Sequence, residues 1–137
     1  MKQKVRLQVS GVLDVEEGIP KLETTISQNG NLRGTDITII VTYCSIPRPS
    51  EEGRKELTVF YAEGKGVLMT KGGSETATWT GQGIAHVSGN KRTDRGSVFC
   101  STSSKGKLSF LNNIVGVFEY ESNLEDGTAE GKVWEWK

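Results

Sequence analysis

Residues Phe60 to Ala85 read FYAEGKGVLMTKGGSETATWTGQGIA, two alternating runs joined at Gly72-Gly73. A diglycine supplies the positive φ of a two-residue hairpin turn, and such a turn fixes the register of the strands it joins. Centred there, the register sets Leu68 opposite Ala77, Gly66 opposite Trp79, Gly64 opposite Gly81, Ala62 opposite Gly83 and Phe60 opposite Ala85. Side chains alternate across a strand, so all of these share one face, which is apolar and rich in glycine. The reverse face carries Glu63, Lys65, Thr80, Gln82 and His86, a set suited to water.

A second turn at Gly89-Asn90 carries the same parity onward. Gly96, Val98, Cys100 and Thr102 fall on the inner side, with Cys100 opposite Trp79. Glycines 64, 66, 81 and 83 then form two Gly-x-Gly pairs on neighbouring strands, both facing inward. Glycine at such positions relieves crowding where a sheet coils sharply, and Gly66 leaves room for the Trp79 ring. A flat sandwich has no need of this. A small barrel does, and at about eight strands its lumen is filled by side chains or holds one small ligand.

Period-two alternation runs through the whole chain, and no segment sustains a 3.6-residue period. It predicts strands over 4–13, 22–28, 31–44, 56–70, 75–88, 92–103, 115–122 and 128–136. A turn at Asn29-Gly30 pairs Leu22 with Ile37 and gives an inner row of Ile37, Ile39, Val41 and Tyr43. A turn at Asp126-Gly127 pairs Tyr120 with Val133, Phe118 with Glu135, Glu119 with Trp134 and Glu121 with Lys132. Phe118, Tyr120 and Val133 share their face with Gly116 and Gly131, which marks it as inward. Three connections are longer: 14–21, 45–53 and 103–113, the last with Leu108 and Leu111 three apart, as a single helical turn plugging one end would have them. The expected fold class is all-β: a single closed antiparallel β-barrel of about eight strands, an up-and-down meander, one domain over 1–137.

The 137 residues carry as many Lys and Arg as Asp and Glu, 17 of each, so no overall field favours nucleic acid or an anionic membrane. Neither is expected as a partner. The start alternates Val5, Leu7 and Val9 with polar residues, unlike a signal peptide, and no apolar run approaches a membrane span. A cytoplasmic location is expected, with Cys44 and Cys100 as free thiols.

The stretch GQGIAHVSGNKRTDRGSVFCSTSSKGKLSFLNNIVGVFEYE (81–121) resembles the C-terminal half of small, largely uncharacterised proteins with an allene oxide cyclase-like barrel. Their glycine-rich strand with a His-containing turn, second strand, Gly-x-Leu loop and Gly-x-Phe-Glu strand correspond to Gly81–Gly89, Arg95–Ser101, Gly106-Lys107-Leu108 and Gly116–Glu119. The wider group includes plant cyclases and dirigent proteins, oligomeric barrels that hold an apolar substrate. The resemblance implies a cavity; it assigns no catalytic position here.

The residues offer little conventional chemistry. His86 is the only histidine and faces outward, which leaves no Ser-His-Asp arrangement and no multi-histidine metal site. SSKGKLS (103–109) lacks the spaced first glycine of a phosphate loop and has Leu where Ser or Thr should follow the lysine. GNKRTDRG (89–96) reads as an ordinary charged hairpin tip. No metal or cofactor is expected. In VGVFEYE, Glu119 and Glu121 look like a catalytic carboxylate pair but fall on the outer face.

The lumen candidates are Tyr43, Phe60, Trp79, Cys100, Phe118, Tyr120 and Glu135. Tyrosine hydroxyls and a carboxylate converging in an apolar space could orient a ligand, and a desolvated Glu135 would suit proton transfer. Three readings stay open: binding of a small apolar molecule in the lumen, an isomerase or cyclase acting in the same cavity, and a packed barrel serving as an oligomeric interaction protein. Outside, Val59, Tyr61, Val67, Met69, Val115, Val117, Trp134 and Trp136 make a surplus of apolar bulk, so a homo-oligomer, dimer or trimer, is expected.

Overall fold

The computed structural model describes the backbone of residues 2–16, 19–48 and 59–137, and the side chains of 20–48 and 59–137. The elements are strands β1 (Lys2–Glu16), β2 (Ile19–Leu32), β3 (Thr35–Arg48), β4 (Val59–Thr70), β5 (Thr76–Ser88) and β6 (Lys91–Ser101), a 3-10 turn (Ser109–Leu111), then β7 (Ile114–Asn123) and β8 (Ala129–Glu135). Each strand pairs antiparallel with the next, so the chain is an all-β meander.

The described side chains belong to a curled half-barrel of seven antiparallel strands, β2 to β8. These seven do not by themselves make the closed eight-strand wall expected from the sequence. The backbone of β1 meets β8 in three residue pairs, Lys2–Lys132, Gln3–Gly131 and Lys4–Glu130. The β4–β5 ladder has eleven, from Val59–His86 to Met69–Thr76.

Two turns form where the sequence places them. Gly72 and Gly73 have φ of 95° and 75°, and Gly89 has φ of 59°. The β4–β5 and β5–β6 registers are those expected, including Gly66 opposite Trp79 and Trp79 opposite Cys100.

Two others are displaced. β2 runs through Asn29-Gly30 and turns at Arg33-Gly34, whose φ values of 49° and 83° are those of a primed turn. The Asn31 side chain fixes this choice by accepting the Gly34 N–H at 2.9 Å and donating to Asp36 at 3.1 Å. Leu22 therefore faces Ser45, and Gly30 faces Ile37. At the other site the loop is longer: Gly127 N donates to Asn123 O at 2.9 Å, and Asn123 Oδ1 accepts from Glu125 N at 2.9 Å. Phe118 faces Val133, Tyr120 faces Gly131, Glu119 faces Lys132, Glu121 faces Glu130 and Glu135 faces Gly116. Both displacements are even in register, so every side chain keeps the face expected of it.

The predicted connection 14–21 is mostly strand, with Val15 paired to Pro20 and Glu16 to Ile19. Likewise β3 extends through 45–48, with Arg48 paired to Val59; residues 49–58 lie outside the described part.

The core sits at one end of the curl. Ile37, Ile39, Val41, Leu68 and Ala77 pack against Leu108 and Leu111 of the 3-10 segment, with Trp79, Cys100 and Phe110 against them. Leu108 is fully buried, which is worth about 2 kcal/mol by the usual burial of a leucine side chain. The expected plug is present.

Candidate ligand cavity

The glycines make space that aromatic rings occupy. A Cβ on Gly66 would lie 2.5 Å from Trp79 Nε1, and one on Gly131 would lie 2.4 Å from Tyr120 Cδ1. On Gly83 it would meet Phe118 Cζ at 3.0 Å. Trp79 and Tyr120 thus each lie across a glycine of the neighbouring strand, and Phe118 reaches over Gly96 to Gly83 two strands away, which lets the sheet curl tightly around these rings.

Inside the curl a cavity of about 170 Å³ remains. Its walls are mainly apolar, with Ile39, Leu68, Trp79, Val98 and Phe118 around it and Leu111 toward the plug. Tyr43, Cys100 and Tyr120 also line it. Of the seven lumen candidates, five are therefore brought together. Phe60 and Glu135 are not among the lining residues.

Glu135 instead faces Arg33 at 3.5 Å, and the Arg33 guanidinium lies 4.0 Å from the centre of the Phe110 ring. The two-residue register displacement, with the end of β8, puts this carboxylate at the plugged rim. Phe60 packs beneath the Arg92 guanidinium, 5.5 Å from it.

Arg92 and Asp94 are the inward-facing charged residues the sequence reading missed. Both lie on the inner face of β6, in line with Gly96 and Val98, and Asp94 lines the cavity. Arg92 Nε donates to Asp94 Oδ2 at 3.0 Å and Oδ1 at 3.3 Å, and its Nη2 donates to Oδ1 at 3.0 Å. Burial works against the charged guanidinium, but the hydrogen bonds and negative charge of Asp94 outweigh it and raise the Arg92 pKa above its ordinary value. The signal was available: the parity that put Gly96, Val98 and Cys100 inside also puts 94 and 92 there. A tip rich in charge concealed it.

Elsewhere on the inner surface Tyr120 donates its hydroxyl to Gln28 Oε1 at 3.1 Å, across the curl, and Gln28 is buried. Burial pushes the Tyr120 pKa well above the usual phenol range, against a smaller opposing effect of that hydrogen bond. Burial also raises the Cys100 thiol. Ser45 Oγ, on the face of β3 that bears Tyr43, is buried without a hydrogen-bond partner among the described residues.

The loop that resembles a phosphate cradle has its amides in use. Glu75 accepts from Lys107 N at 3.0 Å and Leu108 N at 3.2 Å, so an internal carboxylate occupies the place an anion would take. His86 is exposed on the outer face, as expected. Among the described residues no group of three His, Cys, Asp or Glu is placed to hold a metal ion, and no helix is long and apolar enough to cross a membrane.

No family model, no curated protein and no solved structure matches the chain. The fold and the cavity rest on the residues themselves.

Proposed function

We propose that the protein is a binding module that takes a small, mainly apolar molecule into the space inside its curled wall. The observation that carries this reading is the apolar cavity between the inner strand faces, beyond a fully buried plug. In this reading β1 completes the wall as a closed eight-stranded barrel of allene oxide cyclase-like form, and the free thiols Cys44 and Cys100 suit a reducing, cytoplasmic setting. A cyclase or isomerase in the same cavity would have to draw on Asp94, Tyr43, Tyr120 or Cys100, because Glu135 lies at the rim. Native mass spectrometry of the purified protein tests the binding reading. A retained small molecule is expected, and Ala62→Leu, which fills the cavity wall, should release it. Identical masses before and after denaturation, together with no saturable uptake of small apolar probes, would end it.

We also propose that a second copy covers the outer face of β6 to β8. Phe99 faces Val115 there and Val117 faces Trp134, and Phe99, Trp134 and Trp136 are 52%, 48% and 69% exposed. Adjacent exposed rings of this kind usually mark an interface. Light scattering at micromolar concentration should show more than one chain, with Phe99→Glu shifting it to a monomer. A wild-type monomer would sink the idea.

A further inference from the structure

We infer that the molecule taken into the cavity is neutral, about the size of benzene, and carries one hydroxyl or N–H group that donates a hydrogen bond to Asp94. This rests on the binding reading and sharpens it.

Size comes first. An apolar cavity of about 150 Å³ accommodates benzene, whereas drug-sized ligands need roughly 300 Å³ or more. At about 170 Å³ this cavity falls at the small end.

The second argument is polarity. An ionised carboxylate offers about four lone-pair sites. Two Arg92 N–H groups engage Asp94, with Nε–H shared between its two oxygens and Nη2–H on Oδ1, which leaves room for a further donor from the cavity side. Tyr120 gives its proton to Gln28, so that pair is already matched. Asp94 is also held in place: Arg92 is packed near the faces of Phe60 and Tyr43, at 5.5 and 5.8 Å respectively, and swinging the carboxylate away would break its hydrogen bonds to that guanidinium. A fixed acceptor rewards a fixed donor.

Charge decides the rest. Arg92 and Asp94 neutralise each other inside the site, so a ligand charge of either sign would enter a largely apolar space without a counter-ion of its own. A carboxylate would in addition face Asp94. A neutral donor meets neither cost.

The experiment is calorimetric titration of the full chain with phenol, benzene, benzoate and benzylamine. Phenol should bind about tenfold or more tighter than benzene, the ratio expected of a hydrogen bond to a charged acceptor. Benzoate and benzylamine should bind more weakly than phenol. Asp94→Asn should remove most of the preference for phenol while leaving benzene binding in place. If Asp94→Asn does not fold, because it leaves Arg92 unpaired, the double variant Arg92→Met, Asp94→Leu removes both partners and should bind benzene without preferring phenol.

Equal affinities for phenol and benzene in the wild type would overturn the inference and leave the binding reading standing. Tighter binding of either charged probe than of phenol would overturn the neutral class. Failure of all four probes to saturate at millimolar concentration would overturn the binding reading itself.

Discussion

Glu75 anchors Leu108: its carboxylate accepts the Leu108 backbone N–H at 3.2 Å, beside that of Lys107 at 3.0 Å, and Leu108 is the fully buried residue of the plug. One carboxylate on β5's approach thus ties the last long loop to the plugged end of the curl. A Cβ on Gly106 would sit 2.8 Å from both carboxylate oxygens, so a larger residue there would displace the Glu75 carboxylate.

Glu75→Ala should therefore destabilise the protein by about 1–3 kcal/mol, since hydrogen bonds to a charged acceptor are among the stronger ones. Urea unfolding gives the magnitude. Amide hydrogen exchange gives the location, because protection should fall first at Lys107 and Leu108. Unchanged exchange there would mean the plug is held by Leu108 and Leu111 packing alone.

Gly66→Ala should cost about 1–3 kcal/mol by overpacking, because its Cβ would lie 2.5 Å from the Trp79 indole. The same change combined with Trp79→Leu should cost less than the two single changes summed, and a double-mutant cycle reads that coupling. Additive losses would show that the ring moves aside freely.

Alkaline pH should weaken the fold through Tyr120. Burial keeps its phenol protonated above the usual range, so the folded chain retains a proton that the unfolded chain loses near pH 10. Stability is full below that pH and declines as pH rises past it. Tyr120→Phe should flatten this decline while costing about 1–3 kcal/mol at neutral pH, because Gln28 Oε1 is left buried without its donor. Unfolding midpoints measured from pH 8 to 11 compare the two proteins.

Glu119 and Glu121 should matter little. They face outward, Glu119 toward Arg95 at 3.5 Å and Glu121 toward Lys91, with half or more of each side chain exposed. Exposed pairs contribute about 0–1 kcal/mol, so Glu121→Gln should shift the unfolding midpoint only slightly and leave probe binding unchanged. A loss of binding would move the site to the outer wall.

How far the chain can be read unaided depends on the turn. Gly72-Gly73 and Gly89-Asn90 are short, glycine-marked and flanked by clean alternation, so register follows from local chemistry. Asn29-Gly30 carries the same signature and yet lies within β2, because Asn31 organises a turn four residues further on. Asp126-Gly127 misleads for the same reason: Asn123 closes a longer loop around it.

What the sequence by itself determined is the face of every described wall residue, because a period of two survives any even slip. That placed Tyr43, Trp79, Cys100, Phe118 and Tyr120 inside, and Glu119 and Glu121 outside. Only the tertiary structure decided who meets whom across the curl: Tyr120 with Gln28, Glu75 with the plug, Glu135 with Arg33 at the rim, and the Arg92–Asp94 pair beside two aromatic rings. Alternation fixes which side a residue faces. How tightly the sheet curls, and so which opposing walls touch and what space is left between them, is set by the packing of whole rows of side chains.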